Sequence, residues 1–307
     1  MIPSEDRILK CDSKDKTGLN DFHSLPDIFG LDIDKVGINR FRIPVKYKTS
    51  EGELINHDTE ASMYIQFPKG KAGINMSRLY EILQQEVDKS HVCTELFRSI
   101  LHRYRSDMRD DEKDPLFNKS YLKLRFRYAL KQKALKSPNW GWQYYRCILE
   151  GKNDEGVLRF FLTVKYEYSS TCPCSLSMSK QYEHEHSMNR VSEGNGMAVP
   201  HSQRSEATVT VELENIDNFF VADLVELLRG AIPTETQSFV KRMDEQAFAV
   251  LNAQNPMFVE HATRRLSEVL NSHKLILDWV ASVEHWESLH SHNAVAVIRK
   301  FPQGGLK

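Results

Sequence analysis

The segment 157–168, VLRFFLTVKYEY, decides how the chain is expected to fold. Its apolar side chains alternate with polar ones and fall on one face, at Phe160, Leu162, Val164, Tyr166 and Tyr168. A period of two residues is typical of a β-strand with one face buried and the other in water. Residues 142–150 have a similar composition, so we predict a hairpin that turns around residues 151–154.

The same alternation recurs on both sides of this hairpin. It predicts further strands at residues 41–48, 63–67, 122–128, 209–213, 275–283 and 294–301. Pro44 has no N–H to donate to a neighbouring strand, so the first of these is expected at a sheet edge. Apolar residues at helical spacing predict helices at residues 79–87, 96–104, 219–229, 238–251 and 257–270. The polar segments 49–60 and 172–205 are predicted to be connections.

Strands, then helices, then strands follow one another twice along the chain. This order predicts an α+β fold with antiparallel sheets and helices on one face, and not a doubly wound parallel sheet. No glycine-rich phosphate loop follows a predicted strand, which counts against Rossmann and P-loop folds. We predict a lead-in over residues 1–35, a first half over 36–135, and a second half over 136–307 with most of the functional site.

Composition excludes several classes of protein. The 307 residues are 40% hydrophobic and 27% charged, which is typical of a globular chain and not of a disordered one. The formal net charge of −1 disfavours a general nucleic-acid binder. No stretch approaches the roughly 20 apolar residues of a membrane span, and the polar N-terminus does not resemble a signal peptide. Five scattered cysteines predict a reduced, cytoplasmic protein.

The segment Cys172-Pro173-Cys174 is the strongest chemical signal in the residues themselves. In an extended chain, residues two apart point to the same side, so both thiols are expected to face one site. Thiolates bind soft metal ions and act as nucleophiles, and either role is open for this pair. The competing interpretation is two small apolar residues at the end of a strand.

Histidines and carboxylates supply other candidate groups. His201 lies in a polar run before a predicted strand, and His290 and His292 lie between the last two strands, where both rings are expected on one side. His184 and His186 are interpreted as part of a solvated loop. The carboxylate candidates are Glu245, Glu260 and Glu287. A site with one cysteine, one or two histidines and one carboxylate suits Zn(II), Mn(II) or Fe(II).

Six short motifs carry a resemblance to a known family, from about residue 70 to residue 296. They are Gly73-Ile74-Asn75-Met76-Ser77-Arg78, Cys172-Pro173-Cys174-Ser175, His201-Ser202-Gln203-Arg204-Ser205, Lys241-Arg242-Met243-Asp244-Glu245, Asn255-Pro256-Met257-Phe258-Val259-Glu260 and Glu287-Ser288-Leu289-His290-Ser291-His292. In these motifs and in their order, the chain resembles the bacterial type IB GTP cyclohydrolases.

The resemblance implies a tunnelling fold, in which two ββααββ halves contribute antiparallel sheets to an oligomeric barrel. It also implies a homotetramer with active sites between subunits. From charge and hydropathy, no nucleic-acid or membrane partner is expected. The implied reaction is the metal-dependent hydrolysis of GTP to 7,8-dihydroneopterin triphosphate and formate, the first step of tetrahydrofolate biosynthesis.

The resemblance also implies roles for individual residues. The ion is expected to bind a cysteine of the CPC segment, assigned here to Cys174, together with His201, Glu245 and His290. Which of Cys172 and Cys174 binds the ion and which is a catalytic thiol stays open, and His292 is expected to transfer protons. Further residues are expected to bind the substrate: Glu287 at the purine, with Glu260 as the alternative, and Arg204 or the basic face at 123–127 at the phosphates.

Two departures from the family pattern leave alternatives open. The segment 176–199 is longer than usual and carries His184 and His186, either of which is an alternative ligand to His201. Ser202 replaces a more usual asparagine.

A nitrile reductase of queuosine synthesis, with the same fold, one nucleophilic cysteine and NADPH, is the second functional hypothesis. The third is a non-catalytic oligomer that binds metal or pterin.

Overall fold

The computed structural model describes residues 13–110, 116–189 and 197–300, apart from residues 16, 24 and 28, and also residue 306. Within these ranges, the strands are β1 (Ile33–Lys48), β2 (Leu54–Phe67), β3 (Lys119–Lys133), β4 (Trp140–Asp154), β5 (Val157–Thr171), β6 (Ser202–Leu213), β7 (Ile276–His285) and β8 (Ala294–Arg299). The helices there are α1 (Ser77–Lys89), α2 (Thr94–Ser106), α3 (Pro173–Asn189), α4 (Val221–Ala231), α5 (Arg242–Gln254) and α6 (Val259–Ser272).

The eight strands form one sheet in the order in which they occur along the chain. Neighbouring strands run antiparallel, for example β1 with β2 and β5 with β6, which confirms the predicted α+β class. β1 is the first strand in this order, as Pro44 predicts. No helix within the described ranges has both the length and the apolar character that crossing a membrane requires.

The structure follows the predicted order of elements in the first half of the chain and departs from it in the second. The first run of elements is β1-β2-α1-α2-β3-β4, which is the predicted ββααββ order. After β5, however, α3 precedes β6 and three helices precede β7. The prediction that 172–205 is a loop is wrong where α3 occupies it. The apolar residues of α3 do not fall on one face, so they give no amphipathic period to detect.

Two predicted connections also belong to strands. β2 begins at Leu54, and its residues His57 and Thr59 are buried opposite Val45 and Ile43 of β1. Polar residues at inward positions conceal the alternation that would have revealed this part of the strand. The predicted turn at 151–154 lies inside β4; the chain turns at Glu155 and Gly156, both with positive φ.

The chain divides into two compact units. One consists of residues 54–124 and 150–159 with the described part of 1–48. In this unit α1 and α2 pack together through side chains that have no exposed surface, including Leu79, Leu83, Phe97 and Leu101. Glu86 of α1 accepts hydrogen bonds from the Ser99 hydroxyl at 2.8 Å and from Arg103 at 2.8 Å, both on α2.

The second unit consists of residues 49–53, 125–149 and the described part of 160–307. Here α6 packs on β7 and β8, and α4 packs on α6. The pairing of β5 with β6 ends at Thr171 opposite Ser202, and that of β6 with β7 ends at Ser205 opposite His285. Residues 172, 201 and 286 are therefore the first residues outside three neighbouring strands. The division of the chain at residues 135 and 136 stays a prediction.

A buried carboxylate fixes the start of α5. Asp244 accepts hydrogen bonds from the backbone N–H groups of Lys136 at 2.7 Å and Ser137 at 2.8 Å, from the Ser137 hydroxyl at 2.6 Å, and from the Lys241 N–H at 2.9 Å. Burial favours the neutral acid, but these hydrogen bonds outweigh it and hold the pKa of Asp244 well below its usual range. The β3–β4 connection is thus tied to the first turn of α5.

We predict that Asp244→Asn lowers the denaturant midpoint at pH 7, because an amide cannot replace a carboxylate that accepts four hydrogen bonds. The folded-state pKa lies below the unfolded one, so the contribution is present above about pH 4 and is lost as the pH falls towards the folded value. The difference between variant and wild type should therefore shrink in acid. Glu245→Gln, at an exposed neighbour, is the control and should leave the midpoint unchanged.

The strands β1 and β2 approach each other closely at Gly37. A Cβ atom at Gly37 would lie 1.9 Å from the backbone oxygen of Met63, whereas one at Gly230 in α4 would meet nothing within 4 Å. Gly37→Ala should cost about 1–3 kcal/mol of unfolding free energy. Gly230→Ala should be neutral or gain about 0.5–1 kcal/mol, as alanine does in helices. Equal midpoints for the two variants in guanidinium would contradict the close approach.

Candidate active site

The ends of β5 and β6 bring two predicted site residues together. The backbone N–H of Cys172 donates to the carbonyl of His201 at 3.3 Å, which continues the strand pairing by one step. The N–H of His201 in turn donates to the Ser175 hydroxyl at 3.1 Å, in the first turn of α3. The long segment between the two residues therefore leaves from and returns to the same point of the sheet.

The two cysteines do not have the predicted geometry. The helix α3 begins at Pro173, a residue favoured in the first helical turn. Cys172 precedes the helix and is half-buried, while Cys174 lies inside its first turn and is exposed. The expectation that both thiols face one side in an extended chain is wrong, because the chain turns into a helix between them.

His201 is half-buried and has two acceptors beside one of its ring nitrogens. Its Nδ1 lies 2.9 Å from Oε1 of Gln203 and 3.6 Å from Oε2 of Glu287. Glu287 is also half-buried, with 14% of its side chain exposed. Across the described part of the chain, no group forms a hydrogen bond with Nε2 of His201, so this nitrogen is available to a ligand.

Two cavities meet near these residues. One has a volume of about 550 Å³ and is lined by Tyr168, Ser169, Ser202, Gln203, Arg204, Thr236, Gln237, Val240, Glu245 and Phe248. The other, of about 520 Å³, lies between α3 and α5 and includes Lys180, Glu183 and Asn252. Ser202, Glu245 and Phe248 line both cavities. Glu245 is exposed in the first turn of α5, and its carboxylate makes no hydrogen bond or ion pair with described residues.

The remaining predicted residues lie on exposed segments. His290 and His292 are exposed between β7 and β8, and their rings stack with centroids 4.8 Å apart, as expected from their spacing. Glu260 is exposed in the first turn of α6. Arg204 is exposed and lies 4.0 Å from a carboxylate oxygen of Glu167. His184 and His186 lie on α3, where the His186 ring contacts the Tyr182 ring with centroids 3.8 Å apart and planes tilted by 35°.

A buried pair lies beneath this region. The Tyr168 hydroxyl lies 2.9 Å from Nε2 of His285, and both side chains are buried. Burial lowers the pKa of His285 to about 4, although the charge of Glu260 opposes the shift. The imidazole is therefore neutral at pH 7 and packs as part of the sheet core.

The predicted ligands fit a metal ion in their chemistry. A thiol, an imidazole and a carboxylate form a mixed donor set suited to Zn(II), Mn(II) or Fe(II), and Nε2 of His201 and the Glu245 carboxylate are without partners among the described residues. No three histidine, cysteine, aspartate or glutamate side chains in the described ranges group closely enough to hold an ion. Within one chain, therefore, β5 and β6 bring Cys172 and His201 together, but the described residues do not form a complete set of metal ligands.

The structure also identifies residues that the sequence did not single out. Gln203 contacts His201, Phe248 lies between the two cavities, and Lys180 lines the cavity beside α3. Gln203 falls inside a motif that the resemblance uses, so its position was a usable signal. Phe248 and Lys180 give no such signal, because their place on a cavity wall depends on where α3 and α5 lie in the fold.

Comparison with known proteins identifies the family. The chain matches the model of the family described as "GCHY-1: Type I GTP cyclohydrolase folE2" over residues 19–296. It is 37% identical over 270 residues to GTP cyclohydrolase FolE2 of Cereibacter sphaeroides, covering 88% of this chain and 71% of the relative. It is 40% identical over 267 residues to GTP cyclohydrolase FolE2 of Roseobacter denitrificans, covering 87% and 68%.

A solved structure of a hyper-thermostable uricase mutant matches with a TM-score of 0.51 and 6% identity, over 88% of this chain and 92% of that one. At this identity the likeness concerns the fold alone, and it agrees with the expected tunnelling fold. The sequence matches, in contrast, extend over nearly the whole chain. The chain belongs to the Type I GTP cyclohydrolase FolE2 family.

Proposed function

We propose that this chain hydrolyses GTP with water to 7,8-dihydroneopterin triphosphate and formate, the first step of tetrahydrofolate biosynthesis. The family match supports the reaction. The observation that carries the site is the contact between Cys172 and His201 at the ends of β5 and β6, next to the cavity lined by Ser202, Gln203 and Glu245. The family match favours this activity over the nitrile reductase and over a non-catalytic oligomer.

A divalent ion is part of the proposal. Its ligands would be His201, Glu245, His290 and one thiol of the CPC segment, Cys174 or Cys172. When bound, the ion supplies a water whose pKa is lowered towards neutrality. The ion is Zn(II), Mn(II) or Fe(II), since each accepts this mixed set of donors.

The chain's own groups would move the protons that the reaction requires. Two water molecules are consumed as both C–N bonds to C8 of the guanine break and C8 leaves as formate, so two ring nitrogens gain protons. The thiol that does not bind the ion and His292 are the proposed donors. The exposed, stacked rings of His290 and His292 allow one to bind while the other transfers a proton. The ribose then rearranges and closes on the freed amine with loss of water.

Two carboxylates are candidates for binding the N–H edge of the guanine. We assigned Glu287 to this role, with Glu260 as the alternative. The carboxylate of Glu287 faces Nδ1 of His201 at 3.6 Å and is half-buried, whereas Glu260 is exposed at the positive end of the α6 dipole. An ionised carboxylate accepts hydrogen bonds from N1–H and the exocyclic amine through its two oxygens, whereas a glutamine offers one acceptor oxygen and a donor NH₂ group.

The triphosphate needs cations, and the two cavities provide one each. Arg204 lines the first cavity and Lys180 the second, where Lys180 has no ion-pair partner among the described residues. Of the basic face at 123–127, Lys123 pairs with Glu150 at 3.0 Å and is less available. The proposed phosphate ligands are therefore Arg204 and Lys180.

The active protein is proposed to be a cytoplasmic homotetramer with its sites between subunits. The described donors do not form a metal cluster within one chain, which supports a second copy completing the site. The exposed hairpin with His290 and His292 is available to reach such a copy. Four described cysteines are free, as expected in a reducing compartment.

Metal-dependent turnover is the direct test of the proposed reaction. Chelated protein should release no formate from GTP, and adding back Zn(II), Mn(II) or Fe(II) should restore formate and the fluorescence of the oxidised neopterin product. His201→Ala and Glu245→Ala should each lose about 100-fold or more in kcat, because each removes a proposed ligand, and replacing even a hydrogen-bond partner of a ligand typically costs about 10–100-fold. An intact oligomer that forms no product with any of the three ions would refute the proposal.

The two carboxylates are separated by comparing Glu287→Gln with Glu260→Gln. Replacing the carboxylate that binds the purine should raise KM for GTP, because a hydrogen bond to a charged group, worth about 1.5–3 kcal/mol, is lost, whereas the metal content at saturating metal should be unchanged. If a variant instead weakens metal binding and leaves KM unchanged, the replaced carboxylate acts on His201 and not on the purine. We expect the rise in KM in Glu287→Gln. A rise in KM confined to Glu260→Gln would show that Glu260 binds the purine.

A further inference from the structure

A chain of hydrogen bonds runs from His201 into the sheet. Oε1 of Gln203 lies 2.9 Å from Nδ1 of His201, and Nε2 of Gln203 donates to the Ser170 hydroxyl at 2.9 Å. The Ser170 and Ser205 hydroxyls are 2.8 Å apart. Neither serine has exposed surface, and Gln203 is 8% exposed. The side chain of Gln203 is therefore held at both ends of its amide.

The orientation of that amide determines which nitrogen of His201 carries the proton. A carboxamide has one donor end and one acceptor end. Because the NH₂ group of Gln203 donates to Ser170, its carbonyl oxygen faces His201. A carbonyl oxygen only accepts, so Nδ1 of His201 must be the donor of this hydrogen bond and must carry the proton.

Glu287 supports the same protonation independently. Its Oε2 lies 3.6 Å from Nδ1 of His201, so a second, anionic oxygen faces this nitrogen. A lone pair on Nδ1 would be repelled by both oxygens, whereas an N–H is attracted to both. Nε2 makes no hydrogen bond with any described group, so a neutral ring in this tautomer leaves the Nε2 lone pair unoccupied.

We propose that Gln203 is a positioning residue that holds His201 as the Nδ1–H tautomer and presents its Nε2 lone pair to the divalent ion. The inference rests on the proposed function for the presence of the ion. It assigns to Gln203 the role that hydrogen-bond partners of metal-binding histidines generally have, which is to fix the tautomer and the ring orientation. The anchor is Ser170, on the neighbouring strand β5.

The test compares three glutamine variants of the full chain. Gln203→Met keeps the shape and removes both hydrogen bonds, and Gln203→Glu keeps an acceptor towards Nδ1. Gln254→Met, at the exposed last residue of α5, is the matched control. In metal-free protein with ¹⁵N-labelled histidine, two-bond ¹H–¹⁵N correlations at neutral pH should show His201 as the Nδ1–H tautomer in wild type and control. Gln203→Met should give a mixture of tautomers.

Metal affinity is the second readout and needs no turnover. In competition with a chelating indicator, Gln203→Met should bind Zn(II) or Mn(II) about 10–100-fold more weakly than wild type. Gln203→Glu and Gln254→Met should stay close to wild type. Ser170→Ala leaves Gln203 in place but removes the acceptor for its NH₂ group, and should shift the affinity in the same direction by less.

Two results would overturn the inference. One is a wild-type His201 in the Nε2–H tautomer, and the other is an unchanged metal affinity in both Gln203→Met and Ser170→Ala. Failure of the proposed function looks different: wild type would show the Nδ1–H tautomer and bind the ion but release no formate from GTP. If Gln203→Met does not fold, the wild-type tautomer and the Ser170→Ala affinity still decide the question.

Discussion

The pairing of β5 with β6 is the constraint on which the site depends. It runs without interruption from Phe160 opposite Leu213 to Thr171 opposite Ser202, and its last hydrogen bond joins the N–H of Cys172 to the carbonyl of His201. A shift of one residue would turn every side chain of the strand to the other face. The buried alternation of β5 therefore fixes the register, and the register brings the backbone of Cys172 next to that of His201.

A buried polar cluster supports the segment that lines the first cavity. Glu235 accepts hydrogen bonds from Arg229 at 2.8 Å, from Gln132 at 2.8 Å and from the Tyr145 hydroxyl. Burial raises the pKa of Tyr145, and the Glu235 carboxylate adds to the shift, so the phenol stays protonated and donates. Thr236 and Gln237, which follow directly, line the cavity. The shape of the cavity wall thus depends on the buried Glu235 carboxylate, whose charge is stabilised by hydrogen bonds from side chains within the protein.

The sequence predicts the parts that depend on local periodicity and fails where contacts are long-range. The alternation in 157–168 and the spacing in 219–229 anticipate β5 and α4, whereas the apolar residues of α3 do not fall on one face and give no period. The motifs indicate His201 and Glu245 as candidates, and their roles stay predictions. The link from Gln203 to Ser170 spans 33 residues, and the cavity that Lys180 lines is bounded by residues of both α3 and α5. No local pattern encodes either.

X-ray absorption at the zinc edge of zinc-loaded protein tests most directly whether the ion binds at the junction of β5 and β6. We predict one sulfur at about 2.3 Å among nitrogen and oxygen ligands at about 2.0–2.2 Å. This sulfur should disappear in one of the two variants Cys172→Ala and Cys174→Ala, and His201→Ala should remove a nitrogen. A first shell of nitrogen and oxygen alone in wild type, or a sulfur that persists when both cysteines are replaced, would contradict it.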